Sequence, residues 1–191
     1  TFSTAEDQFL GVGYLRDNVF FAVGWTQGLD ADFAITRISG RGQVAIAGYP
    51  DYSFGTSGSA TISGLAPISV ASGLVLETTG KYLVIGFTST ATEQLVVNRY
   101  HVTGALDTSW NTTGTFKGAT TRACATGRSM PYSNGNYYFS CRNGRIARIN
   151  TDGTCDASYA TLGVTVAIAS SADGNSGIGF DSSVRAYLGT L

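Results

Sequence analysis

Residues 104–114 read GALDTSWNTTG and set an acid (Asp107), a hydroxyl (Ser109) and an indole (Trp110) in one short loop. An acid next to a hydroxyl could serve acid–base chemistry, and an indole could stack on a sugar ring. The same residues could equally well close a turn. Elsewhere the catalytic inventory is thin. His101 is the single histidine, and its slot after Tyr100 reads as a surface or strand-edge position. Asp30 with Asp32, or Glu6 with Asp7, could pair as the acid and base of a glycosidase, but no family motif surrounds them. Residues Asn150, Asp152 and Asp156 give one loop oxygen ligands faintly like those of a calcium site, without the closing Glu. That loop is expected to be a turn, so neither a metal nor a cofactor is expected. G-x-S-x-G, H-E-x-x-H, the P-loop and G-x-G-x-x-G are all missing. Cys124, Cys141 and Cys155 lack the paired spacing of a zinc site, and an odd count allows one disulfide and one thiol.

The elements that must carry these residues read as β-structure. The 191 residues suffice for one well-cored domain; 13% are charged, 43% are hydrophobic and 25 are glycine. Aromatic and β-branched residues throughout argue against disorder. No apolar run approaches the roughly 18 residues of a membrane span, so no membrane insertion is expected. The chain opens at TFSTAEDQF, without an initiator Met or a signal-peptide pattern, and reads as a mature or excised piece of something longer. Net charge is −1 but unevenly spread: residues 1–116 carry −4 and residues 117–163 carry +4. That balance does not suggest nucleic acid, whose binders show a stronger basic bias.

A repeat organises the chain. LVVNRYHVTGALDTSWNTTGTF (95–116) and GRIARINTDGTCDASYATLG (144–163) share one frame. Its members are Arg99, Gly104, Asp107, Ser109, Trp110 and Gly114, then Arg148, Gly153, Asp156, Ser158, Tyr159 and Gly163. An earlier, stretched copy supplies Arg37, Gly42, Asp51, Ser53, Phe54 and Gly58, interrupted by the insertion VAIAGYP. Upstream of each frame a turn precedes an apolar run: RDNVFFAVGW, TTGKYLVIGF and SNGNYYFSCR. In FAITRI the side chains alternate between two faces, as in a strand, and no stretch has helical periodicity. The expected fold is all-β and β-propeller-like, with about three full four-stranded blade repeats and a partial fourth. One domain, 1–191, would contain repeats near 1–62, 63–116 and 117–163 and the partial copy 164–191, which stops before its Asp-x-Ser loop.

Segment 68–114, with Thr79-Gly80-Lys81, Tyr82–Gly86, Leu106, Asp107 and Trp110, resembles the delta-60 repeat of bacterial surface and secreted proteins. That repeat has a D-G-K turn, a strand ending in Gly, a strand ending in Arg, then D-G-x-L-D-x-x-F. The match is good over 65–116 and fair over 117–163. The resemblance implies a β-propeller-like fold and a bacterial, extracellular or cell-surface setting.

A motif recurring once per blade is a packing motif. Asp107 and Asp156 should close Asx-type turns, Trp110 and Tyr159 should plug the space between sheets, and Arg99 and Arg148 should each fork onto the Asp eight residues on. Function is sought in the deviations. The insertion brings Tyr49 and Tyr52 into a loop, and Trp25 and Arg142 follow the strand-ending residue of their repeats. Aromatic faces with charged neighbours suit a glycan, so these four are the candidate ligand-binding residues. Pairing about the turn near Thr78-Thr79 sets Val70 opposite Gly86 or Phe87, and the same pairing in the third repeat brings Cys124 to Cys141. Cys155, in the Leu106 slot, should be a buried thiol. The reading is a non-enzymatic recognition or adhesion module for a glycan or other cell-surface ligand. A carbohydrate-active enzyme or a purely structural repeat is the alternative. Open sheet edges point to a homo-oligomer, preferably a trimer, or to a place in a larger chain.

Overall fold

The computed structural model describes residues 7–14, 19–27, 31–39, 49–62, 68–89, 93–118, 132–133, 135–141, 145–160, 163, 165, 175–183 and 185–190. They are all-β: β1(Asp7–Tyr14), β2(Val19–Gln27), β3(Ala31–Ser39), β4(Tyr49–Pro50), β5(Ser59–Ile62), β6(Ile68–Leu76), β7(Tyr82–Ser89), β8(Glu93–Tyr100), β9(Thr115–Lys117), β10(Tyr132–Ser133), β11(Asn136–Cys141), β12(Arg145–Asn150), β13(Asn175–Phe180) and β14(Ala186–Thr190). A single 3-10 turn, Trp110–Thr112, interrupts them. Among the described residues no helix is long and apolar enough to cross a membrane.

The strands form antiparallel meanders in chain order. β1, β2 and β3 pair in sequence, with β4 and β5 both on the far edge of β3. β6, β7, β8 and β9 repeat the pattern. β10–β11–β12 and β13–β14 form separate three- and two-stranded sheets. One parallel contact, Ala31 with Ile68, joins the first two meanders at a corner.

The repetition reaches individual residues. The first hairpin of a meander carries a one-residue bulge at Leu10 (between Phe9 and Gly11), at Ser72 (between Ala71 and Gly73) and at Ser176 (between Asn175 and Gly177). Counting from the bulge, Val12 matches Leu74, Tyr14 matches Leu76 and Phe20 matches Tyr82, since Val12 faces Ala22 and Tyr14 faces Phe20 as Leu74 faces Val84 and Leu76 faces Tyr82. Val70 lies opposite Phe87, the register expected from the turn. Gly24 and Gly86 do not end their strands, which run on to Gln27 and Ser89. They are glycines because the bulge presses a carbonyl against them: a Cβ on Gly86 would lie 1.9 Å from Val70 O, and one on Gly24 would lie 1.8 Å from Gln8 O.

The meanders stack face to face. Alternation along β7 sends Tyr82 and Val84 one way and Leu83 and Ile85 the other. Tyr82, Val84, Val96 and Tyr100 pack with Phe21, Val23, Phe33, Ile35 and Phe54 of the first meander. Leu83, Ile85, Leu95, Val97 and Trp110 pack with Tyr137, Phe139, Cys141, Ala147 and Ile149 of the third. YLVIGF is apolar on both faces because both are covered. Beyond the third meander Tyr138 meets Phe180 edge-on at 4.7 Å between ring centroids.

Backbone bonds sew successive meanders together. The Asp-x-Ser-aromatic loop of one docks on the tight turn of the next: Gly55 N donates to Thr103 O at 2.7 Å, and Asn111 N donates to Asp152 O at 2.8 Å. Gly153 must be glycine there twice over. Its φ is 87°, and a Cβ would sit 2.6 Å from the Trp110 ring. Gly153→Ala is therefore expected to cost about 2–4 kcal/mol, from left-handed strain and the displaced indole together. Gly80→Ala, at φ 81° with nothing within 4 Å, should cost only about 1–2 kcal/mol. Urea denaturation of the two variants checks the difference.

Candidate functional site

The recurrent loop is built around one carboxylate. In the first meander Asp51 Oδ1 accepts from Ser53 N at 3.0 Å and from Ser53 Oγ at 2.7 Å, while Arg37 Nε reaches Oδ2 at 2.9 Å. Arg37 also covers the Phe54 ring at 5.2 Å and donates through Nη1 to Val102 O of the second meander at 2.8 Å. In the third, Ser158 N and Oγ reach Asp156 Oδ1 at 2.9 and 2.5 Å, and Arg148 Nη2 lies 2.5 Å from Oδ2. Arg148 stacks over Tyr159 at 4.4 Å. The expected Arg148–Asp156 ion pair forms, through Nη2 alone rather than as a two-nitrogen fork, whereas Arg37 grips Asp51 with both Nε and Nη2 across 14 positions of sequence instead of eight.

The second meander departs from the pattern. Asp107 keeps its bonds from Ser109, at 3.3 Å from N and 2.5 Å from Oγ. Its other oxygen is taken by Lys81 Nζ at 2.8 Å. Arg99 is displaced to Glu77 through Nε and Nη2, leaving only Nη1, 3.4 Å from Asp107. The expected Arg99–Asp107 fork is thus replaced by a chain of charges, and the reason is local composition. Lys81 stands where the first meander has Val19 and the third has Asn136, so only here does a second cation compete for the carboxylate. His101 Nε2, half-exposed, lies 3.4 Å from Asp107 Oδ1. Burial alone would raise the Asp107 pKa. Hydrogen bonds from Lys81 and Ser109, with the charges of Lys81 and His101, outweigh burial and hold it at about 2.

Glu77, freed for other partners, accepts from the Tyr137 hydroxyl of the third meander and from Thr79 Oγ1 at 2.9 Å. The Arg99–Glu77–Tyr137 group borders a cavity of about 360 Å³ between the second and third meanders. Val75 gives it an apolar wall, and Leu76, Thr78, Thr79 and Thr151 complete the lining. Trp110 closes the neighbouring space, its indole N–H donating to Thr151 O at 2.8 Å. The cavity therefore presents a cation, an anion and several hydroxyls beside aliphatic carbon.

Of the four residues expected to bind a ligand, the two whose side chains are described, Trp25 and Tyr52, do not meet. Trp25, half-buried, faces Gln8 and Phe33 across its sheet and donates to Gln8 Oε1 at 3.2 Å. Tyr52 is exposed in the turn after β4, whose pairing partners on β3 are Ile38 and Ser39. Five residues of β3 separate Phe33 from Ile38, about 16 Å of strand, so Trp25 and Tyr52 sit toward opposite ends of the sheet. The Tyr49 side chain, Arg142, Cys124, Asp30 and Glu6 lie outside the described residues. Trp110 and Phe54 are buried plugs as expected, while Tyr159 is only half-buried. Cys141 is disulfide-bonded and buried. Cys155 is in no disulfide, as expected, but is exposed rather than buried: it bridges Ile149 as Leu106 bridges Tyr100, yet lies outside both hydrophobic clusters. Asp152 closes its own turn, accepting from Thr154 N at 2.9 Å and Thr154 Oγ1 at 2.6 Å.

Sequence reasoning missed Glu77 and Tyr137 and read Lys81 only as a turn residue. The available signal was that an acid and a lysine flank the Thr78–Gly80 turn in one repeat and not in its neighbours. Scans against protein-family models, curated proteins and solved structures returned no match to the chain.

The Asp107 arrangement sets a pH dependence. The folded protein holds Asp107 ionised down to about pH 2, whereas its ordinary value is 3.8. Its contribution is fully present above about pH 5 and lost as pH falls toward 2, because the unfolded chain takes up the proton first. Asp107→Asn should therefore be less stable than the parent by about 2 kcal/mol at pH 7, with the gap closing toward pH 2. Chemical denaturation of both proteins at the two pH values measures it.

Proposed function

We propose that this chain is a non-enzymatic recognition or adhesion module that binds a saccharide in the cavity between its second and third meanders. The meanders would be blades of a β-propeller-like fold. The observation that carries the reading is the displaced arginine: Arg99 leaves the clasp used by Arg37 and Arg148, and with Glu77 and Tyr137 it lines the cavity instead. Sugar hydroxyls donate and accept together, which suits a guanidinium, a carboxylate and a phenol in one group. Val75 offers aliphatic carbon of the kind a sugar's C–H face prefers. In the lining Arg99 is balanced by Glu77, which favours a neutral or zwitterionic sugar over a strongly anionic one.

The resemblance to the delta-60 repeat supports a bacterial surface or secreted setting, and the disulfide at Cys141 is in keeping with an oxidising compartment.

A glycan array followed by calorimetry tests the proposal. A neutral glycan should bind without turnover, and Glu77→Gln should weaken it about tenfold by removing the charged acceptor. Released sugar would replace this reading with a carbohydrate-active enzyme. Glycan binding indifferent to both Glu77→Gln and Arg99→Met would move the site away from the cavity and overturn the assignment.

A further inference from the structure

We infer that Lys81 and Trp110 are positioning residues for the cavity between the second and third meanders. They occupy the two acceptors that the corresponding arginine uses in the first meander, and so keep Arg99 on Glu77 in the lining. Their role in binding rests on the saccharide reading of that cavity, whereas the placement of Arg99 can be measured without a ligand.

The contact between the first and second meanders supplies the reference. Arg37 has two acceptors there: Asp51 in its own loop, through Nε at 2.9 Å, and Val102 O in the turn of the next meander, through Nη1 at 2.8 Å. The Tyr82 hydroxyl meets the same carbonyl at 3.4 Å. Phe54, the buried aromatic of that loop, has no N–H to offer.

The next contact repeats these positions with different partners. Thr151 stands where Val102 stands, because Asn150 N donates to Thr154 O as His101 N donates to Ala105 O. Arg99 and Tyr137 are the counterparts of Arg37 and Tyr82. They meet on the Glu77 carboxylate instead, Arg99 through Nε at 3.2 Å and through Nη2, Tyr137 through its hydroxyl. Both acceptors of the first pattern are filled by other donors. Lys81 Nζ lies 2.8 Å from Asp107 Oδ2, and the indole N–H of Trp110 donates to Thr151 O at 2.8 Å. The first repeat carries Val19 and Phe54 at those two positions, neither of which could donate.

Glu77 by itself does not explain the move, since Asp107 is a carboxylate too and lies 3.4 Å from Arg99 Nη1. Return is opposed because Ser109 holds Asp107 Oδ1, Lys81 holds Oδ2 and Trp110 holds Thr151 O. Glu77 stands where the first repeat has Leu15 and the third has Ser133. The acid that draws Arg99 into the cavity therefore occurs in the same repeat as the two donors that replace it.

Nitrogen–proton NMR spectra of the arginine side chains in the full protein test this, with the Arg99 Nε–H peak assigned by its loss in Arg99→Lys. In the parent that peak should shift more on Glu77→Gln than on Asp107→Asn. In Lys81→Val/Trp110→Phe, built from the residues of the first repeat, the order should reverse as Arg99 moves onto Asp107. Lys81→Arg keeps a cation on Asp107 and should keep the parent order. Thermal melts confirm that each variant folds, and Lys81→Val alone, at a partly exposed site, serves if the double variant does not. Retention of the parent order in the double variant, or in Lys81→Val in its stead, overturns the inference, and so does its reversal in Lys81→Arg. The spectra are recorded without ligand, so failure here is read from Arg99 and failure of the saccharide reading from the glycan array.

Discussion

The carboxylate that joins the third strand of each of the first three meanders to the loop after it is the constraint on which the rest of the structure depends. Asp51, Asp107 and Asp156 each accept from a serine two positions on, and each is neutralised by a cation. The bonds fix the loop's shape, and the shape points Phe54 or Trp110 across to the next sheet. Without the carboxylate the loop loses its internal acceptor, and the aromatic loses its aim. The stacking of sheets, which buries most of the apolar side chains, follows from that local geometry. Each Asp sits partly or wholly out of water, so the cation is needed as much as the serine.

A cation is required there, but its identity is free, and the second meander uses that freedom. Lys81 satisfies Asp107, and Arg99 keeps only a 3.4 Å contact with it through Nη1. Moving a guanidinium a few ångströms to Glu77 costs the fold little because every buried charge still has a partner. The same move places a polar group against the Tyr137 hydroxyl of another sheet. A structural clasp has in this way been partly converted into cavity lining.

Much of this was legible in the sequence because it is periodic. The Arg–Asp pairing was readable from two aligned loops, the register of Val70 with Phe87 from the position of one turn, and the burial of Trp110 from its recurrence as Phe54. What escaped was competitive or cumulative. Two cations contending for Asp107 cannot be ranked without their distances. The bulge shifts register by one residue and leaves only a glycine after it, as at Gly11, Gly73 and Gly177, which reads as an ordinary turn signal. Trp25 and Tyr52 seemed neighbours because both deviate from the repeat, yet deviation says nothing about which end of a sheet a residue occupies. Cys155 took its expected place in the frame, but a smaller side chain at the Leu106 position does not reach the core that Leu106 touches.

The unequal spacing of the arginine and its aspartate has a consequence for how such a chain can diversify. Arg37 pairs with Asp51 as Arg148 pairs with Asp156, with six more residues between them. Lengthening a closed segment to that extent costs only about 0.5 kcal/mol of chain entropy. The ion pair acts as a clamp at the base of the segment at either length. The first and third meanders thus carry a port at which new sequence can be spliced in while the scaffold below keeps its register.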